Sequence, residues 1–296
     1  MRAFAWFLGL SVAALLAIAV FAYPAWALLH PHFNFPFHRI GERIGMLALL
    51  IGFLALARHL GVADRRSLGY GLARRAFLRE MSLAVALGVA SMLAVVGLMS
   101  VLGLLEWRAG ARFTGTALLR LVALRALSGL AVALIEETFL RGAMHSAIER
   151  ESGTRAAVLL TALLYAATHF FASFHIAPEQ VTPRSGLELL AGTLHLLLAP
   201  AQIADAFLAL FAVGVVLALV RAATGNIAAC IGLHAGWVWV MLVSHEVLQP
   251  VRAAPLALLL SRFDGFVGWL VLVWTVLLAW PLWRLYSRRA ARAAHG

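Results

Sequence analysis

Long apolar runs alternate along this chain with short stretches rich in Arg, Pro or His. Runs near residues 4–28, 42–59, 80–104, 115–146, 155–174, 203–222, 226–246 and 265–284 stand out. Most come close to the about 20 residues a helix needs to cross the hydrocarbon of a bilayer. The pattern therefore predicts about eight transmembrane helices. A further run at 187–199 ends at Pro200 and is too short to cross comfortably, which predicts a re-entrant or interfacial piece. The charged segment ERESGTR at 149–155 contains Gly153, a helix breaker, and predicts a helical hairpin between the runs on either side. Only TGN at 224–226 separates the sixth and seventh runs, so those two should be antiparallel neighbours.

Composition turns this pattern into a class. Of 296 residues, 63% are hydrophobic and 12% are charged, and the mean hydropathy is +0.92. A soluble domain is nearer half apolar and a quarter charged. The expected fold is all-α: a polytopic integral membrane helix bundle. Residues 1–114 form an N-terminal group of about three spans, 115–246 a core, and 247–296 a last span with an Arg-rich tail. The first apolar run is longer than the apolar stretch of a signal peptide, which predicts an uncleaved first span. Cys230 is the only cysteine, so an intrachain disulfide and a Cys-rich metal site are excluded.

Net charge adds orientation rather than a partner. The formal charge is +11, and every basic residue is Arg. Arg clusters flanking apolar runs fix topology in a bilayer, so the excess needs no nucleic acid to explain it. Six arginines fall in 58–80 and four in the tail from 283 onward. Both segments should face the cytoplasm, which puts both termini inside a bacterial inner membrane. The Pro-containing loops at 30–38, 174–186 and 248–255 should then lie on the opposite side.

Candidate chemistry sits in LIEETFLRG, residues 134–142. Thirteen residues are acidic, and nearly all lie at run ends or in loops, but Glu136 and Glu137 do not. An acid near the bilayer centre costs about 2.5–3.5 kcal/mol even on the lenient insertion scale. The plain reading is a bundle lock: Glu137 pairs with Arg141 one helical turn on. Adjacent helix positions point about 100° apart, so Arg141 does not face Glu136. Tyr165 and His169 share a face of the next helix. Glu136 and His169 each lie roughly 13–15 residues from the turn at 149–155, or about 20 Å of depth. His234 lies on a later span. Glu136, His169 and His234 have the makings of a Glu/His pair that activates water, or of a site for one divalent metal such as zinc. His145, His175, His195 and His245 read as interfacial, and glycines within the spans read as close helix contacts.

These three segments resemble the motifs of the CPBP family, which joins CAAX-processing endopeptidases and bacteriocin-immunity proteins. Its pattern is EExxxR, then FxxxH, then HxxxN. The chain has EETFLR complete (Glu136, Glu137, Arg141), YAATH with Tyr165 for Phe and His169 kept, and HAGWV with His234 kept and Val238 for Asn. The resemblance covers about residues 115–246. It implies an intramembrane endopeptidase, glutamic or metal-dependent, acting on a membrane-associated peptide or protein. Glu136 would activate water with His169, and Glu137 would support the site through Arg141. Tyr165 and Asn226 are candidates for the polar support that Val238 removes. Val238 also keeps open a non-catalytic binding or immunity factor of the same fold. A proton-coupled transporter is a third reading, which short connections and a single charge cluster disfavour.

Overall fold

A computed structural model of the chain describes residues 1–110, 114–171 and 176–295. The helices are α1 (Arg2–Leu29), α2 (Phe37–His59), α3 (Arg74–Val101), α4 (Gly115–Glu137), α5 (His145–Thr168), α6 (Ser185–Leu197), α7 (Pro200–Thr224), α8 (Ala228–Val247) and α9 (Trp269–His295). A π-helical segment, Thr138–Met144, joins α4 to α5 without interruption. Among the described residues, seven helices are long and apolar enough to cross a bilayer, the fourth being the 54-residue stretch Gly115–Thr168. That stretch bends back at Gly153, whose φ of 81° favours glycine. Arg141 and Tyr165 are each twelve residues from Gly153, and the Arg141 guanidinium lies 4.6 Å from the Tyr165 ring centre. Only a hairpin brings them together, as the ERESGTR turn predicts, and its two arms account for the eight apolar runs.

Two short strands, β1 (Leu105–Trp107) and β2 (Leu248–Pro250), pair antiparallel between the ends of α3 and α8. The apolar pattern gave no sign of them, because three-residue strands are too short to carry a period. They leave the fold all-α. The short run before Pro200 is helix α6, 13 residues long. It lies along α1, where a Cβ on Gly186 would come within 2.2 Å of the Ala19 carbonyl oxygen. His175 lies outside the described residues.

The Arg-rich segments meet at one end of the bundle. Backbone N–H groups of Arg2 and Ala3 donate to Glu151 at 2.7 and 2.8 Å. Arg150 reaches the Gly61 carbonyl at 3.0 Å, Ile227 N–H donates to Gly69 O at 3.1 Å, and Arg289 pairs with Glu80 at 3.0 Å. The chain start, the 60–73 loop, the Gly153 bend and the C-terminal tail thus share that end. The outer faces are greasy, with Leu119 70% and Leu277 67% exposed, as lipid contact requires.

Glycines set the helix spacing around the site. On α8, Gly232 and Gly236 bracket His234 in a GxxxG pair, and both press on α3. A Cβ would meet the Met81 oxygen at 2.3 Å from Gly232 and the Val85 oxygen at 2.7 Å from Gly236. A Cβ on Gly129 of α4 would lie 3.0 Å from the Ala235 oxygen. Gly232→Val is expected to cost about 1–3 kcal/mol through forced separation of α3 and α8. Thermal unfolding in detergent micelles checks this; an unchanged midpoint would show that the contact is looser than its geometry.

Candidate active site

Glu136 and Glu137 occupy the last turn of α4, where the α-helix gives way to the π segment that carries Arg141. The pattern of residues predicted one continuous α-helix here. Insertions of this kind recur at functional sites because they re-aim side chains within a helix. The 60–73 loop presses on this segment: a Cβ on Gly142 would lie 2.8 Å from Leu68 O, and Tyr70 hydrogen-bonds Thr138 Oγ1 at 2.6 Å.

The expected pairing of Glu137 with Arg141 is present. Arg141 Nη1 donates to Glu137 Oε1 at 3.0 Å, and both side chains are 0% exposed. Arg141 Nη2 also donates to the Gly214 carbonyl at 3.2 Å, and its charge lies over the Tyr165 ring. Glu137 has a second partner that the sequence did not reveal: Oε1 lies 2.8 Å from His234 Nδ1. A carboxylate accepts, so Nδ1 carries the proton and the lone pair sits on Nε2. Two buried donors from separate helices therefore hold one carboxylate, and the carboxylate fixes the tautomer of the imidazole.

Glu136 points elsewhere, as the 100° argument requires, but the ring it meets is His234. Its Oε2 lies 3.9 Å from His234 Nε2. Both atoms are buried and without a hydrogen-bond partner. A dry, unpaired buried polar atom costs about 1–3 kcal/mol, so two facing ones call for a shared polar guest. Two acceptors at 3.9 Å are too far apart to bond each other and close enough for a single water oxygen to donate to both. The rest of the Glu136 side chain is one-third exposed.

His169 lies beyond Tyr165. Its ring packs 4.5 Å from the Tyr165 ring, which is in turn 5.8 Å from His234. His169 Nδ1 donates to the Tyr165 carbonyl at 2.8 Å, leaving Nε2 as the acceptor. Tyr165, His169 and Val238 line a cavity of about 150 Å³ between α3, α5, α7, α8 and α9, roofed by Phe263 and Asp264. Tyr165 is thus the wall between this cavity and the carboxylates. A shallower depression of about 520 Å³ along Thr116, Arg120 and Leu124 holds none of the site residues.

Two residues differ from their reading in the sequence. Asn226 is spent locally: Oδ1 accepts from Ala228 N–H at 3.0 Å and Nδ2 donates to Thr224 O at 3.1 Å. It shapes the turn into α8, about 12 Å along the helix from His234 at 1.5 Å per residue, and lends the site no support. His145, expected at the interface, is 0% exposed with both ring nitrogens unbonded. Its burial follows from the hairpin, which packs α5 against α7, where Arg221 donates to the Arg141 carbonyl at 2.9 Å. Cys230 is a packing residue, donating to Leu217 O at 3.3 Å.

A metal held by Glu136, His169 and His234 needs three donors converging on one point. Among the described residues no group of three or more His, Cys, Asp or Glu side chains does so. Glu136 Oε2 and His234 Nε2 face each other, while His169 spends one nitrogen on Tyr165 and lines the cavity. The donors present do not fit a three-ligand metal, and the chemistry below uses side chains alone.

Residues 118–240 match the family model described as type II CAAX prenyl endopeptidase Rce1-like. No curated protein and no solved structure matches the chain. The matched segment contains Glu136, Glu137, Arg141, Tyr165, His169, His234 and Val238. Residues 118–240 are thus similar to the Rce1-like endopeptidase domain of the CPBP family, and they sit in an all-helical bundle of membrane-spanning character.

Proposed function

We propose that this protein is an intramembrane endopeptidase that hydrolyses a peptide bond of a membrane-associated peptide or protein. The observation that carries the reading is the pair of facing, unbonded atoms Glu136 Oε2 and His234 Nε2, 3.9 Å apart. A water between them donates one hydrogen to each. As its oxygen attacks the scissile carbonyl carbon, Glu136 takes a proton, acting as general base. The tetrahedral oxyanion then collapses, the C–N bond breaks, and Glu136 returns the proton to the leaving nitrogen. Glu137 keeps His234 in the tautomer that presents Nε2, and Arg141 balances the charge of Glu137. Of the two histidines expected to assist Glu136, His234 holds the water, while Tyr165 O–H and His169 serve the substrate side. Tyr165 is the candidate oxyanion donor in place of the side chain that Val238 lacks.

The Arg-rich end is assigned to the cytoplasm by the positive-inside rule, with both termini there. Comparison of membrane proteomes from cells with and without the protein tests the reading. One or more uncleaved membrane precursors should accumulate in its absence; identical cleavage patterns would refute the assignment. A non-catalytic binding or immunity factor is the second reading, favoured by the apolar Val238 in the cavity wall. Val238→Asn separates the two. It should raise the cleavage rate by about tenfold, the scale of one added oxyanion donor at partial efficiency, and a rate that stays at zero favours the binding factor.

A further inference from the structure

Hydrolysis inside a membrane consumes water, and the structure holds a column of polar groups of which the mechanism uses only the inner two. Glu137, Arg141, His145 and Glu149 recur every four residues from the site toward the Gly153 bend. Spacing of this kind keeps them on one face of the helix. The column starts at Glu149, 37% exposed at the Arg-rich end, whose Oε1 accepts from Thr154 Oγ1 at 2.7 Å. Its Oε2 lies 3.9 Å from His145 Nε2. Both His145 nitrogens, Arg141 Nε and Glu137 Oε2 are buried without a hydrogen-bond partner. At the far end Glu137 holds His234, whose Nε2 faces Glu136.

Unpaired atoms of opposite character along one face mark a hydrated path. Arg141 Nε only donates, Glu137 Oε2 only accepts, and His145 offers one of each. Buried water settles where it finds two to four polar partners, and single buried atoms scattered through an apolar core would not supply them. Gly142 and Ala143 bring no polar group, while Arg221 is committed to Arg141 O and, at 3.1 Å, to Ser146 Oγ. Charged groups face His145 from three sides: Arg141 on the π segment, Arg221 on α7 and Glu149 on α5.

We propose that the Glu149–His145–Arg141–Glu137 face is the water route from the Arg-rich aqueous end to the buried carboxylates. The route serves the hydrolysis proposed above and rests on that reading for its purpose. Its physical content, water beside fully buried His145, stands apart from any activity. A neutral imidazole that both donates and accepts suits such a position, since it can bridge successive waters in either direction.

Hydroxyl-radical footprinting of the full-length protein in lipid nanodiscs tests this without a substrate. Radicals formed from bound water label the side chains next to it. His145 should be labelled about tenfold faster or more than Phe7, which is equally buried in an apolar cluster. Glu149→Leu closes the mouth and should bring His145 down to the rate of Phe7. Glu149→Gln, which keeps a polar mouth, should leave it high. Labelling of His145 no faster than Phe7 in the unmodified protein overturns the route, and so does a rate that Glu149→Leu leaves unchanged. Loss of cleavage with His145 still labelled would instead count against the hydrolase reading alone.

Discussion

Glu136→Gln is expected to abolish cleavage of the membrane substrate while the protein folds, inserts and accumulates as before. The substitution keeps the size and shape of the side chain and removes its capacity to take a proton. General bases contribute about 10²–10⁴-fold to rates of this kind, and loss of both proton transfers should lie at the upper end or beyond. Little structural cost accompanies it. The Glu136 side chain is one-third exposed and Oε2 has no hydrogen-bond partner, so no protein hydrogen bond to it is broken. The measurement is conversion of the precursor identified by proteome comparison, with expression level and thermal midpoint as controls. Cleavage at the original rate would sink the proposed mechanism, because among the described residues no other carboxylate presents an unbonded oxygen to His234 Nε2.

Arg141→Met should have the largest effect on stability, about 3–5 kcal/mol, because it strands a buried carboxylate. The same i, i+4 pair on a water-exposed helix would be worth about 0.3–0.5 kcal/mol. Burial decides which figure applies, and both side chains are 0% exposed. The loss reaches further than the pair, since Arg141 also ties the π segment to α7 through Gly214 O and lies over Tyr165. Adding Glu137→Gln to Arg141→Met removes the stranded charge, and the double variant should recover part of the loss. The double variant should be inactive, since His234 no longer has an ionised carboxylate to hold its tautomer. Unfolding in detergent micelles, followed for the two single variants and the double, supplies the cycle. Strict additivity of the single losses would mean that Glu137 and Arg141 are not energetically coupled.

Much of the local architecture was legible in the residues. Apolar runs gave the spanning helices because a bilayer forces every spanning segment to satisfy its own backbone. Gly153 inside a charged stretch gave the hairpin. The i, i+4 spacing of Glu137 and Arg141 gave their ion pair, and the 100° step gave Glu136 its separate direction. These inferences depend only on helix geometry over a few turns.

The partner of Glu136 was less accessible. Depth counting paired it with His169, because both lie on one hairpin whose register follows from its turn. The choice of His234 depends on which helix lies across from α4, and no local period encodes that. Glycines at 129, 232 and 236 decide it by letting α8 press between α4 and α3, with contacts measured in backbone atoms rather than side chains. The π segment was hidden for a related reason: it packs at Gly142 against the 60–73 loop, a contact between residues far apart in the chain.

The sequence by itself determined an all-helical membrane protein with two carboxylates of divided duty, since helical spacing and the energetics of charge in hydrocarbon act within single segments. Tertiary structure alone decided that Glu137 serves Arg141 and His234 together, that Asn226 is bound up in a turn, and that His145 is buried. Each of those outcomes depends on the distance between helices, which the packing of small residues sets and the order of residues along one helix does not.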